Sequence, residues 1–180
     1  MILGFTGKNA AGKTECCNYL ASQGFIQCSL SDIIRDELSK EGLEPSRENM
    51  IKKGNELREK FGPNYLAAQM AKKITQNPSK SFAIDSIRSP HEANELKKIK
   101  NFRLIGIDAD PKLRFERMLK RGRIGDAKTF ENFILDEKKE NLKNDNGQQL
   151  DNTFAISHKI IKNESTLKAL HKQLVELVKK

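Results

Sequence analysis

The chain has 180 residues, with 33 Lys and Arg against 24 Asp and Glu, giving a formal net charge of +9. That length suits a single compact domain over 1–180, and no apolar run approaches the roughly 20 residues needed to span a bilayer. Cys16, Cys17 and Cys28 show no metal-ligand spacing and read as reduced, core-forming thiols. With no basic leader ahead of an apolar stretch, they predict a cytoplasmic protein.

The first element, Met1-Ile2-Leu3-Gly4-Phe5-Thr6, is a short apolar run that reads as a buried parallel strand. Gly7-Lys8-Asn9-Ala10-Ala11-Gly12-Lys13-Thr14 follows it with the spacing G-x-x-x-x-G-K-T of a phosphate-binding loop. Glycines there let backbone N–H groups turn inward around an anion with no Cβ in the way. Lys13 can reach the β- and γ-phosphates of a nucleotide, and the Thr14 hydroxyl can ligate Mg²⁺. A helix over Thr14–Ser22, ended at Gly24, would then face its N-terminus to the phosphates.

Strands and helices alternate along the remainder. Phe25–Ser29 reads as a second strand, and a polar helix runs from Ser31-Asp32 to about Lys40. Helices at Arg47–Lys60 and Pro63–Gln76 are separated by Gly62-Pro63. Ser81–Asp85 is a third strand, Glu92–Lys100 a helix and Phe102–Asp108 a fourth strand. Asp110-Pro111 supplies an N-cap and N1 proline for a helix to Lys120. A basic loop at Arg121–Lys128 precedes a helix from Phe130 to about Asn144. Ile156–Ile161 is the fifth strand, and Ser165 opens an amphipathic last helix. This alternation predicts an α/β fold, a parallel sheet covered by helices on both faces, with ligands at the carboxyl ends of the strands.

Those ends carry Ser29-Leu30-Ser31-Asp32-Ile33-Ile34-Arg35, Asp85-Ser86-Ile87-Arg88, and Arg117 to Arg123. Each offers a carboxylate, an arginine or both. In this the chain resembles the small P-loop kinases, the superfamily of adenylate kinase and dephospho-CoA kinase. Ser31-Asp32-Ile33-Ile34-Arg35 is similar to the Ser/Thr-Gly-Asp-x-x-Arg segment of that family, and Asp85-Ser86-Ile87-Arg88 to its Asp-Gly-x-Pro-Arg segment. The resemblance implies a three-layer fold with a five-stranded parallel sheet in the order 2-3-1-4-5. It also implies a helical acceptor region around 31–77 and a short basic lid around 117–128. ATP and Mg²⁺ would be the donor and its metal. Gly7 to Thr14, Arg117, Arg121 and Asn163 would bind the nucleotide, with Asn163 in the turn after the last strand. Ser31, Asp32, Arg35 and Arg88 would bind a small nucleotide-like acceptor.

Phosphoryl transfer needs mainly positioning and positive charge on the migrating group. Lys13 and the lid arginines Arg117, Arg121 and Arg123 are the residues expected to supply that charge. Thr14 and Asp85 are the expected Mg²⁺ side chains, Asp85 through water; the other role for Asp85 is an N-cap of the next helix. Arg88 and Arg35 read either as acceptor grips or as surface ion pairs. Asp32 would act as a base if the acceptor is a hydroxyl, as in dephospho-CoA kinases, and would not be needed for a phosphate acceptor. The usual Asp-Ala-Asp of the former is replaced here by Ser29-Leu30-Ser31-Asp32.

The nearest likeness is to a branch whose relatives precede deoxycytidylate deaminases, implying a deaminase or another partner domain and a second reading as a non-catalytic NTP-binding regulatory module. Asn146-Gly147-Gln148-Gln149-Leu150-Asp151 also resembles that branch, with no mechanism attached to it. The basic residues crowded between Lys97 and Lys128 favour a phosphate-handling site over a nucleic-acid groove, since no aromatic RNA-binding signature or zinc finger accompanies them. Guanine-nucleotide and transporter signatures are missing, and the chain is short for a AAA-type motor.

Overall fold

The computed structural model describes residues 1–123, 125–140 and 148–179. Among them the elements run β1 (Ile2–Thr6), α1 (Lys13–Ser22), β2 (Ile26–Ser29), α2 (Leu30–Lys40), α3 (Arg47–Phe61), α4 (Tyr65–Thr75) and β3 (Phe82–Asp85). They continue with α5 (Pro90–Lys97), β4 (Phe102–Asp108), α6 (Pro111–Arg121), α7 (Phe130–Glu140), α8 (Leu150–Ala155), β5 (Lys159–Lys162) and α9 (Leu167–Val178). The strands form one parallel sheet in the order β2-β3-β1-β4-β5, the order implied by the resemblance.

β1 is central and buried along its whole length, so its alternating side chains feed two cores. Ile2 points to the layer holding Leu30, Ile34, Leu66, Met70 and Leu96. Leu3 and Phe5 point to the other, with Cys16, Leu20, Leu170 and Leu174. Each fully buried side chain of this size contributes about 1.5–3 kcal/mol. β2 and β5 are the edges and correspondingly more exposed.

Capping explains most shifts of element ends. α2 starts one residue early because Ser29 and Asp32 form a capping box. α5 begins at Pro90 rather than Glu92, since Ser89 accepts from the Glu92 N–H and Pro90 fills N1. Asp110 caps α6 as expected, whereas Thr166, not Ser165, caps α9. α6 runs on to Arg121, so Arg117 and Arg121 project from a helix and the basic loop starts at Gly122. The expected extension of α7 over 141–144 lies outside the described residues.

Two differences are larger. The fifth strand spans Lys159–Lys162 instead of Ile156–Ile161, and the short helix α8 precedes it. Ile156 is apolar because it closes α8 and packs on the first core, not because it pairs in the sheet. α8 lies against β4: a Cβ on Gly106 would stand 2.8 Å from the Phe154 ring, so only glycine admits that close approach. Cys16 and Cys17 are core residues as expected, while Cys28 is only half-buried; all three thiols are free.

Candidate functional site

The phosphate loop is shaped by two glycines with positive φ. Gly7 has φ 137° and Gly12 has φ 110°, conformations L side chains rarely adopt. A Cβ at Gly7 would run into the Ile107 carbonyl, and one at Gly12 into the Asn163 amide. Lys13 opens α1 and turns back over the loop, donating to the carbonyl oxygens of Gly7 at 2.7 Å and Lys8 at 2.9 Å. Thr14, next in α1, donates from Oγ1 to Asp85 Oδ2 at 2.7 Å. Asp85 ends β3 and is buried; Ser89 caps the helix that follows, leaving the carboxylate turned to Thr14. Ser86, just after it, holds φ 66°, and its N–H donates to Asp85 Oδ1 at 2.6 Å. The sequence resemblance puts a glycine at that position, and the left-handed backbone is the physical reason.

Asp32 and Arg35 stand beside this centre because β2 pairs with β3 and places Ser29 opposite Asp85. Asp32 accepts the Ser29 N–H at 3.0 Å on one oxygen and Arg35 Nη1 at 2.6 Å on the other. Both groups are half exposed, so this is a surface ion pair. Ser31 is buried at the same turn, its N–H donating to Ser29 Oγ. Arg88 leaves the loop after β3, and its Nη1 donates to Gln148 Oε1 at 2.8 Å. The Arg88 N–H donates to Glu92 Oε2 at 2.8 Å. Glu92 in turn receives Arg58 Nε and Nη2 at 3.1 and 2.9 Å, with both side chains buried. α3 is thereby tied to the Arg88 loop.

The α6 arginines reach the other side of the loop. Arg121 donates to Asn9 Oδ1 and pairs with Asp126 at 2.9 Å. Arg117 Nη2 donates to the Asn163 carbonyl at 2.9 Å, and Asn163 Nδ2 donates to the Ala11 carbonyl at 2.8 Å. Arg114 is buried and donates to Ala109 and Asn9 carbonyls and to Glu137 of α7, with its guanidinium over the Phe133 ring. Burial lowers the Arg117 pKa. At Arg123, burial and then the charge of Arg121 do the same, Asp126 opposes, Arg35 lowers and Asp85 raises. Arg123 therefore lies within the field of Arg35 and Asp85. A cleft of about 380 Å³ opens beside the loop between Gly7, Lys8, Asp108, Arg114, Asp151 and Phe154.

These residues fit a magnesium nucleotide. Among the described residues, no group of three or more His, Cys, Asp or Glu side chains could hold an ion without help. A hydroxyl and one carboxylate, Thr14 and Asp85, are the hard oxygen set that Mg²⁺ uses when phosphates and water complete its shell. Arg117 Nη1 is buried with no hydrogen-bond partner among the described residues, a donor beside the turn that carries Asn163. Sequence reasoning gave no site role to Arg58, Glu92, Arg114 and Glu137, and singled out Gln148 only within the 146–151 segment, with no mechanism; residues 146 and 147 of that segment lie outside the described residues. The partners of these five side chains lie 23 to 60 residues away in the chain, beyond any local pattern.

The sheet order and the loop define a small P-loop fold of the kind seen in kinases. Residues 3–150 match the family described as AAA domain, and the chain belongs to it. It is also 30% identical over 181 residues to a UPF0200 protein of Methanothermobacter thermautotrophicus, covering 100% of this chain and 90% of that one. A UPF0200 protein of Sulfurisphaera tokodaii is 32% identical over 179 residues, covering 99% and 96%. The chain is therefore a member of the UPF0200 family. A shikimate kinase from Bacteroides thetaiotaomicron shares the fold with a TM-score of 0.61, at 12% identity over 100% of this chain and 99% of that one. The AAA-domain match stands beside the expectation that the chain is short for a motor of that name. Among the described residues no helix is long and apolar enough to cross a membrane.

Proposed function

We propose that this protein transfers the γ-phosphoryl group of Mg-ATP to a small nucleotide-like acceptor that presents a phosphate. The observation that carries the reading is the 2.7 Å bond between Thr14 Oγ1 and Asp85 Oδ2 at the mouth of the phosphate loop. It joins the metal-binding hydroxyl to the carboxylate ending β3, beside the lysine of the same loop. Bound Mg²⁺ would supply charge neutralisation across the phosphates. Lys13 and the loop N–H groups hold the donor phosphates; Arg117 and Asn163 flank its base. Arg121 and Arg123, near the loop and near Asp85, bring positive charge to the migrating group. Arg88 and Arg35 receive the acceptor.

Asp32 favours a phosphate acceptor over a hydroxyl. Both of its oxygens are already engaged, one by the α2 cap and one by Arg35. Those bonds already give it the work of a helix cap and an ion-pair partner, and a phosphate acceptor asks for no base. The dephospho-CoA-type alternative rests on the placement of Asp32 after β2, the strand next to Asp85. ADP release from Mg-ATP with AMP, CMP, dCMP, UMP, GMP, dTMP and dephospho-CoA separates them. One strong monophosphate responder supports the proposal, and a response to dephospho-CoA alone transfers the role of base to Asp32. Tight ATP binding with silence across the panel identifies a regulatory NTP-binding module.

A further inference from the structure

Arg35, Arg58, Arg114 and Arg121 each pair with a carboxylate: Asp32, Glu92, Glu137 and Asp126. Arg88 differs. Its side chain is held by a neutral amide, Gln148 Oε1 at 2.8 Å, and among the described residues no carboxylate pairs with its guanidinium. A neutral acceptor orients a guanidinium through one N–H and leaves its full charge, and its remaining N–H groups, for an incoming anion. A carboxylate at the same place would take up both.

The support behind Gln148 is built for that purpose. Gln148 and Gln149 are buried, and the Gln149 N–H donates to the Arg88 carbonyl at 2.8 Å. The Gln149 carbonyl receives the Thr153 N–H at 2.9 Å and the Thr153 hydroxyl at 2.7 Å, and Thr153 is fully buried. Phe154, one residue on, sits over Gly106 of β4. The Gln148-Gln149 pair thus clamps Arg88 at backbone and side chain, while Glu92 holds its N–H from the other side. Such clamping removes the side-chain ordering cost that a free arginine meets on binding.

We propose that Gln148 is a positioning residue that presets Arg88, uncompensated in charge, for the phosphate of the acceptor. The proposal rests on the phosphotransfer reading and deepens it. The test is equilibrium binding of AMP, CMP, dCMP, UMP, GMP and dTMP, each alone, with Mg-ATP binding and thermal unfolding as controls. The proteins are the full chain, Gln148→Glu, Gln148→Asn and Arg88→Ala. Gln148→Glu keeps the shape and neutralises Arg88, so it should weaken binding of the monophosphate that the wild type prefers at least about tenfold. Arg88→Ala should do the same, with Mg-ATP affinity within about twofold and the unfolding temperature kept. Gln148→Asn, neutral but shorter, should fall between. In turnover, Gln148→Glu should raise acceptor KM with kcat little changed. Monophosphate affinity unchanged in Gln148→Glu but lost in Arg88→Ala overturns the proposal and leaves phosphotransfer standing. A wild type that binds no monophosphate overturns both.

Discussion

Glu92→Ala addresses the buried ion pair that ties α3 to α5. Arg58 and Glu92 are 4% and 0% exposed, with Nη2 to Oε1 at 2.9 Å. Removing the carboxylate strands a buried guanidinium, which costs about 3–5 kcal/mol. The Arg88 N–H also loses its acceptor, adding about 1 kcal/mol. A sum near 5 kcal/mol lowers the unfolding temperature by roughly 15 °C, at about 3 °C per kcal/mol for a chain of this size. Arg58→Met combined with Glu92→Leu removes both charges and fills the volume. That double variant should lie within about 2 kcal/mol of wild type, because a buried pair exchanged whole for apolar groups is often near neutral. Scanning calorimetry and urea unfolding of both variants read the difference. A loss under about 1 kcal/mol for Glu92→Ala, or a double variant worse than the single one, would refute the reasoning that an uncompensated buried charge dominates there.

Asp85→Asn should cut turnover about 10–100-fold with a raised Mg²⁺ requirement, read by titrating Mg²⁺ at fixed ATP. Gly12→Ala meets both the Asn163 amide and a φ of 110°, so it should destabilise by about 1–3 kcal/mol and weaken ATP binding, read by unfolding and calorimetry. Burial pushes the Cys16 and Cys28 thiols up to about 12 from the ordinary 9.0, and Cys17 higher still. Thiols of the unfolded chain ionise first, so stability from these groups is complete below pH 9 and falls as pH rises towards 12. Urea midpoints across that range should drop, less steeply in Cys16→Ala, and native Cys16 and Cys17 should resist iodoacetamide at pH 8.

The loop was legible because its signal is local, with Gly7 to Thr14 between an all-apolar strand and a helix, whereas the sheet order came with the family resemblance. Asp85 at the end of β3 and Asp110 as the cap of α6 were placed by equally local signals. α8 was not, because Leu150–Ala155 is too short to show a helical period and Ile156 mimics the start of a strand. Nor were the clamps on the site. Arg88 meets Gln148 60 residues away, and Arg58 meets Glu92 34 away, contacts that only the packed layers create. Asp32 was read as an acceptor-binding residue and, for a hydroxyl acceptor, a base; its work as a helix cap depended on where α2 starts, one residue earlier than the sequence suggests.

The most direct test follows labelled phosphorus from γ-³²P-ATP and Mg²⁺ onto the preferred acceptor, in wild type and Lys13→Ala. The account predicts a labelled phosphorylated acceptor from the wild type and at least about 100-fold less from a folded Lys13→Ala, whose lost contact is one that stabilises transition-state charge. Equal transfer by Lys13→Ala, or none by a wild type that binds Mg-ATP tightly, would contradict it.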